Sequence, residues 1–173
     1  MRNYRDYENT LTALRQNLTA NLEALDYIDF NRAPEGGGWS AAQTLSHIIG
    51  AERTSLAYLH KKIQQPEVIP AGGMKARVKS ALLGLAMASP IKIKVPPGVP
   101  EVVEQASFEE LDNQWSAVRE DWGQFLSSYP PDLAERAIYR HPVMGRLTLA
   151  QTLRFLITHL KRHSRQIERA LAK

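Results

Sequence analysis

The sequence predicts an all-α fold: an up-down-down-up four-helix bundle, with a long crossover between the second and third helices that carries an extra short helix. Three observations predict it. Apolar residues recur at spacings of three and four over four long stretches. Two of those stretches open with the same hydroxyl-x-x-glutamine start signal. The stretch between the second and third is long and rich in proline. A connection of that length lets the helices it joins run parallel, where a short loop would force them antiparallel. At 173 residues the chain has the size of one domain, residues 1–173, and is long enough to bury a core.

The first helix is expected from about Tyr4 to Leu25, where Leu11, Leu14, Leu18, Leu22 and Leu25 line one face. The second follows Gly36-Gly37-Gly38 and runs from Ser40 to about Ile63. It opens with Ser40-Ala41-Ala42-Gln43, a capping box in which the hydroxyl accepts from the backbone amide of the glutamine and the glutamine reaches back. From Gln65 to Ser107 lies the crossover, with Pro66, Pro70, Pro90, Pro96, Pro97 and Pro100. Within it, Met74 to Ala88 reads as a short helix covering one end of the bundle. Its Lys75, Arg77 and Lys79, followed by Leu82, Leu83 and Leu85, also suit a basic amphipathic surface helix. The third helix runs from about Phe108 to Leu126 and stops before Pro130-Pro131. The fourth, from Thr148 to about Leu171, opens with a second capping box, Thr148-Leu149-Ala150-Gln151. Ser-x-Ala-Gln-Thr-Leu in one helix and Thr-x-Ala-Gln-Thr-Leu in the other hint at pseudo-symmetry.

Composition narrows the chemistry. The chain has no cysteine, which removes disulfides, thiolate ligands and cysteine nucleophiles. Any transition-metal site must be built from histidine, carboxylate and water. The net charge of +4 is mild and its Lys and Arg are spread along the chain, so no nucleic-acid partner is expected. The polar start, Met-Arg-Asn-Tyr-Arg-Asp-Tyr-Glu, is not expected to be a signal peptide, and no apolar run approaches the ~18 residues of a spanning helix. A cytoplasmic protein without membrane attachment is expected.

Histidines carry the functional signal. His159 and His163 stand four apart on the fourth helix, about one turn and about 40° of rotation, so both rings leave from one face. Leu149, Leu153, Leu156, Leu160, Ile167 and Ala170 make that face apolar, and His163 takes the one polar place in the seam. A buried polar group without a partner costs about 1–3 kcal/mol. One metal ion would partner both rings; two histidines hydrogen-bonded inside a bundle would satisfy the same pattern. His47, roughly two turns into the second helix, shares a face with Thr44, Ala51, Thr54 and Tyr58, small or hydroxylated residues suited to a cavity wall. A third imidazole from a second helix completes a three-histidine site, and three ligands plus an open position define reactive zinc sites. His60, near the end of the second helix, and His141, before Pro142, read as surface and loop residues, with a place near the mouth of the metal site as the second reading for His141.

Two segments resemble the DinB/YfiT-like superfamily. One is Gly-Gly-Trp39-Ser40-Ala-Ala-Gln43-Thr-Leu-Ser-His47-Ile. The other is His141-Pro142-Val-Met-Gly145-Arg-Leu-Thr148-Leu-Ala-Gln, continued by His159-Leu-Lys-Arg-His163-Ser-Arg-Gln166-Ile167. The resemblance implies an up-down-down-up bundle and a divalent metal, commonly nickel or zinc, held by His47, His159 and His163. It also implies a choice of activities, since some relatives are thiol-dependent S-transferases and one branch isomerises maleylpyruvate.

The expected function is that of a metal-dependent enzyme on a small-molecule substrate, either a transferase using a low-molecular-weight thiol or a hydrolase. A hydrolase needs a carboxylate base. Glu52, the acid nearest His47 in sequence, falls about 140° away around the helix, which favours the transferase. The alternative is a non-enzymatic, stress-related binding or dimerisation module with a structural metal. Arg154, Lys161, Arg162, Arg165 and Arg169 read as a solvated basic face from which one or two residues reach the pocket mouth. Trp39, Trp115 and Trp122 read as packing residues. A homodimer is expected.

Overall fold

The computed structural model describes residues 4–72, 102–141 and 145–172. It is predominantly helical. The helix expected at Met74–Ala88 lies outside the described residues. In chain order the elements are α1 (Arg5–Leu22), α2 (Tyr27–Asn31), α3 (Ala41–Ile63), α4 (Phe108–Ser128), β1 (Tyr139–His141), β2 (Gly145–Leu147) and α5 (Leu149–Leu171). The four long helices expected from the sequence are α1, α3, α4 and α5.

Both capping boxes form. Gln43 N donates to Ser40 Oγ at 3.1 Å while Ser40 N donates to Gln43 Oε1 at 3.1 Å. At α5, Gln151 N donates to Thr148 Oγ1 at 3.3 Å and Thr148 N to Gln151 Oε1 at 2.9 Å. Each box satisfies two amides that a helix start leaves unpaired. Helix α1 ends at Leu22, short of the expected Leu25. Asp26 then starts α2, a one-turn element absent from the sequence expectation, by accepting from Asp29 N at 2.7 Å. At the end of α2, Asn31 clamps the returning crossover: Nδ2 donates to Ala106 O at 2.9 Å and Oδ1 accepts from Ala106 N at 3.1 Å.

Helix α3 lies against both α4 and α5, and α1 lies against the same two helices. Contacts give the directions. From α3 to α4, Arg53 meets Gln114 and His60 meets Phe125, so the two run in the same sense. From α3 to α5, Thr44 meets Gln166 and His47 meets His159, so these run in opposite senses. The buried face of α5 matches its periodicity, with Leu149, Leu153, Leu156, Leu160 and Ile167 each at 1% exposure or less.

One departure from the all-α expectation is a two-stranded antiparallel ribbon. Tyr139 pairs with Leu147, Arg140 with Arg146 and His141 with Gly145. Strands of three residues are too short to show period-two alternation in a sequence. Gly145, at φ +76, takes the left-handed backbone that a β-carbon disfavours. The start of the crossover is pinned beside this ribbon: Gly72 N donates to Glu135 O at 2.9 Å and Ala137 N to Pro70 O at 2.8 Å. A β-carbon at Gly72 would stand 2.6 Å from the Glu135 carbonyl oxygen, so the close approach requires glycine there. Among the described residues, no helix is long and apolar enough to cross a membrane.

The α3–α4 interface contains a buried carboxylate. Glu52 is 1% exposed. Its Oε2 accepts from Trp115 Nε1 at 3.2 Å and stands 3.6 Å from Arg119 Nη1, while Trp122 Nε1 donates to the Glu52 carbonyl oxygen at 3.3 Å. Burial pushes the Glu52 carboxyl above its ordinary range, and the Arg119 guanidinium opposes that rise. Trp115 and Trp122 are fully buried, as a packing role requires. Removing one partner of such a pair strands a buried charge, whereas replacing both with apolar groups is often neutral. Glu52→Ala is therefore expected to cost about 3–5 kcal/mol in urea denaturation. The double variant Glu52→Leu/Arg119→Met should recover most of it, and a double variant no better than the single one would contradict this account.

Candidate metal centre

The site is assembled by the antiparallel packing of α3 on α5. The Ser40 capping box fixes where α3 begins, and His47 emerges roughly two turns later on the side facing α5. His159 and His163 emerge one turn apart on α5. Packing the two helices brings the three rings together, with one nitrogen from each inside a set spanning 4.8 Å. Ring centroids are 5.0 Å apart for His47 and His159, 4.7 Å for His47 and His163, and 4.4 Å for His159 and His163. The sequence expectation that these three residues meet is thus realised. The depth order differs from it: His159 is buried and the seam residue His163 is half-buried.

His163 is held by a chain of hydrogen bonds. Its Nδ1 lies 2.9 Å from Gln166 Oε1, Gln166 Nε2 donates to Thr44 Oγ1 at 3.5 Å, and Thr44 Oγ1 donates to Ser40 O at 2.8 Å. With the amide oxygen as acceptor, Nδ1 carries the proton and Nε2 presents its lone pair. The same residues that start α3 therefore orient a ring on α5.

Burial disfavours the charged form of all three rings. It lowers His47, and it takes His159 well below the ordinary range with further contributions from the neighbouring charges of His163, His47, His141 and Arg162. His163 falls to about 4, through burial and His47, with the Gln166 hydrogen bond opposing. Neutral imidazole is the form that ligates a metal. One further observation fits a metal. His47 Nε2 and His159 Nε2 are 3.1 Å apart, a distance that suits a donor–acceptor tautomer pair and is also close to the ~3.3 Å between two nitrogens sharing a tetrahedral ion at bond lengths of about 2.0–2.1 Å. His47 Nδ1, on the far side of the ring, is buried without a hydrogen-bond partner.

Glu52 faces α4, as its rotation around the helix implied, and it is a buried helix-packing charge. Aromatic rings border the triad. Trp39 lies 5.0 Å from His47 and so belongs to the site, unlike the two core tryptophans. Phe155 lies 5.5 Å from His159, and His141 lies 4.5 Å from Phe155. Phe155 was legible in principle, since it precedes His159 by one helical turn. The place of His141 depends on the ribbon and agrees with its second reading, near the mouth of the site. His60 is exposed and packs on Phe125, away from the triad. Of the basic residues of α5, Arg162 is half-buried and acts on His159 and His163, while Arg154 lies over Tyr7. Arg154, Lys161, Arg165 and Arg169 are exposed, as a solvated face should be.

A family model described as the DinB superfamily matches residues 10–167. The chain is similar to the uncharacterized protein YuaE of Bacillus subtilis (strain 168), at 23% identity over 147 residues, covering 85% of this chain and 86% of the relative. No solved structure matches the chain.

The lowered pKa values set an expected pH dependence for the metal-free protein. Each ring binds a proton less readily in the folded chain than in the unfolded one, where histidine titrates near ~6.5. The stability contributed by the neutral rings is fully present above ~6.5 and is lost as pH falls towards the folded value, about 4 for His163. Urea midpoints are expected to fall between about pH 7 and about pH 5, and to fall less in His163→Ala. Equal dependence in parent and variant would show that the ring titrates freely in the folded protein.

Proposed function

The chain belongs to the DinB superfamily, and from that premise we propose that it is a metal-dependent enzyme, a transferase that uses a low-molecular-weight thiol. One divalent ion, zinc or nickel, is held by His47, His159 and His163, with a position left for the small molecule. The observation that carries this reading is the convergence of three neutral imidazoles from two helices, on the side of α3 away from the buried Glu52. A divalent ion there favours the thiolate form of a thiol, its nucleophilic state. His47, His159 and His163 supply neutral nitrogens, and Gln166 orients one of them. Trp39 and Phe155 flank the rings with apolar surface. Arg162 adds a positive charge that suits an anionic ligand. Among the described residues, no carboxylate is among the groups that shift the three rings, which supports thiol transfer over hydrolysis. The half-buried His163 supports an open position over a closed structural site.

The proposal includes the architecture. We read α1, α3, α4 and α5 as an up-down-down-up four-helix bundle forming one domain. The shared sense of α3 and α4 supports that reading, as does the opposite sense of α3 and α5. So do the contacts of Arg15 with Asp112 and Ser116, and of Glu8 with Gly123, which set α1 antiparallel to α4.

The test is calorimetric titration of tag-free protein with zinc and with nickel. One equivalent is expected in the parent and little in His47→Ala or His163→Ala. Gln166→Leu should keep the stoichiometry and weaken affinity by about 10–100-fold, the usual cost of losing a residue that orients a ligand. Failure of the parent to take up either metal, or full uptake by both alanine variants, would overturn the site and leave a helical binding module.

A further inference from the structure

His141 stands beside the triad without joining it. Its ring packs edge-on against Phe155 at 4.5 Å, and Phe155 in turn lies 5.5 Å from His159. It is half-buried. Its strand is tied to both helices that carry the three imidazoles. Tyr139, two residues before it on β1, has its Oη 3.0 Å from Ser55 Oγ of α3 and its ring 5.3 Å from that of Tyr58. The paired strand β2 ends at Leu147, immediately before Thr148, the residue that caps α5. The ribbon therefore holds His141 at a fixed place relative to His159. Even so, the nitrogens that cluster within 4.8 Å come from His47, His159 and His163. A polar ring fixed this near to a metal centre, outside its ligand set, is positioned for whatever molecule enters the open position.

We propose that His141 hydrogen-bonds the small anionic thiol that occupies the site, so that the ligand is held between the triad and the β1–β2 ribbon. This rests on the three-histidine reading above and adds to it a residue that selects the ligand. Charge agrees with an anion: the groups whose charge reaches His159 are other imidazoles and the Arg162 guanidinium. With the imidazoles neutral, the positive charge near the site is the Arg162 guanidinium and that of a divalent ion, and in a low-dielectric surrounding these favour a ligand of opposite sign. The imidazole needs no change of protonation to play this part, because either neutral tautomer offers one donor and one acceptor. Packing alone would make the ring replaceable by any aromatic of its size, and this separates the two roles experimentally.

The experiment uses full-length protein loaded with cobalt(II) and titrated with 3-mercaptopropionate, following the sulfur-to-cobalt charge-transfer absorption. Parent, His141→Phe and His141→Gln are compared. Phe keeps a ring against Phe155 and removes the hydrogen bond, whereas Gln keeps polar atoms. Cobalt affinity and ligand-field spectrum are expected to be the same in all three. Thiol affinity is expected to fall about three- to tenfold in His141→Phe, the worth of one hydrogen bond, and less in His141→Gln. Unchanged thiol affinity in His141→Phe would overturn the proposal, and so would loss of cobalt affinity, which would make His141 a fourth ligand. A parent that binds cobalt and develops no thiol band would overturn the thiol reading and this proposal with it. A parent that binds no cobalt would remove the metal centre itself.

Discussion

Three imidazoles packed at centroid distances of 4.4–5.0 Å in a low-dielectric interior cannot all be charged, and this constraint organises the site. Neutral rings so close place lone pairs and N–H groups where few partners exist. The structure partners one of them by Gln166 and leaves a buried nitrogen of His47 without a partner. One tautomer pair satisfies the His47–His159 contact, and a shared cation would accept a lone pair from every ring at once.

Helix α3 bears the consequences on two sides. Towards α5 it presents His47 and Thr44, and towards α4 it presents Glu52. One oxygen of Glu52 accepts from an indole and stands beside a guanidinium, the other is buried without a hydrogen-bond partner, and the backbone carbonyl accepts from a second indole, so that the α3–α4 interface has polar register as well as apolar contact. A buried polar contact of this kind penalises a slipped packing, because slippage leaves the carboxylate alone. The position of His47 against α5 depends on that register and on the Ser40 cap that sets where α3 starts. Polar chemistry thus holds the helix on a face turned away from the one that carries His47.

Much of this was legible in the sequence for definite reasons. Leucine spacing and two capping boxes place α1, α3, α4 and α5, because helix periodicity and start signals are local. His159 and His163 are legible as a pair because four residues make about one turn. His47 is legible as a candidate because its neighbours on the helix face are small. What joins them is not local: the antiparallel meeting of α3 and α5 is a tertiary fact, and the two motifs pointed to it without fixing distances. The one-turn α2 and the three-residue strands carry too few residues to show a period. For the same reason the places of Trp39 and His141 beside the triad are only the lesser readings of the sequence, behind packing for Trp39 and a loop position for His141. Each lies in a short connecting segment, and each reaches the site only because a helix start or a ribbon turns it there.

The account stands or falls on whether one ion sits among these rings. Anomalous diffraction from crystals grown with zinc, recorded on either side of the zinc edge, tests it most directly. The prediction is a single strong peak about 2.0–2.1 Å from one nitrogen of each of His47, His159 and His163. A peak elsewhere, or well-ordered rings with no anomalous signal between them, would contradict it.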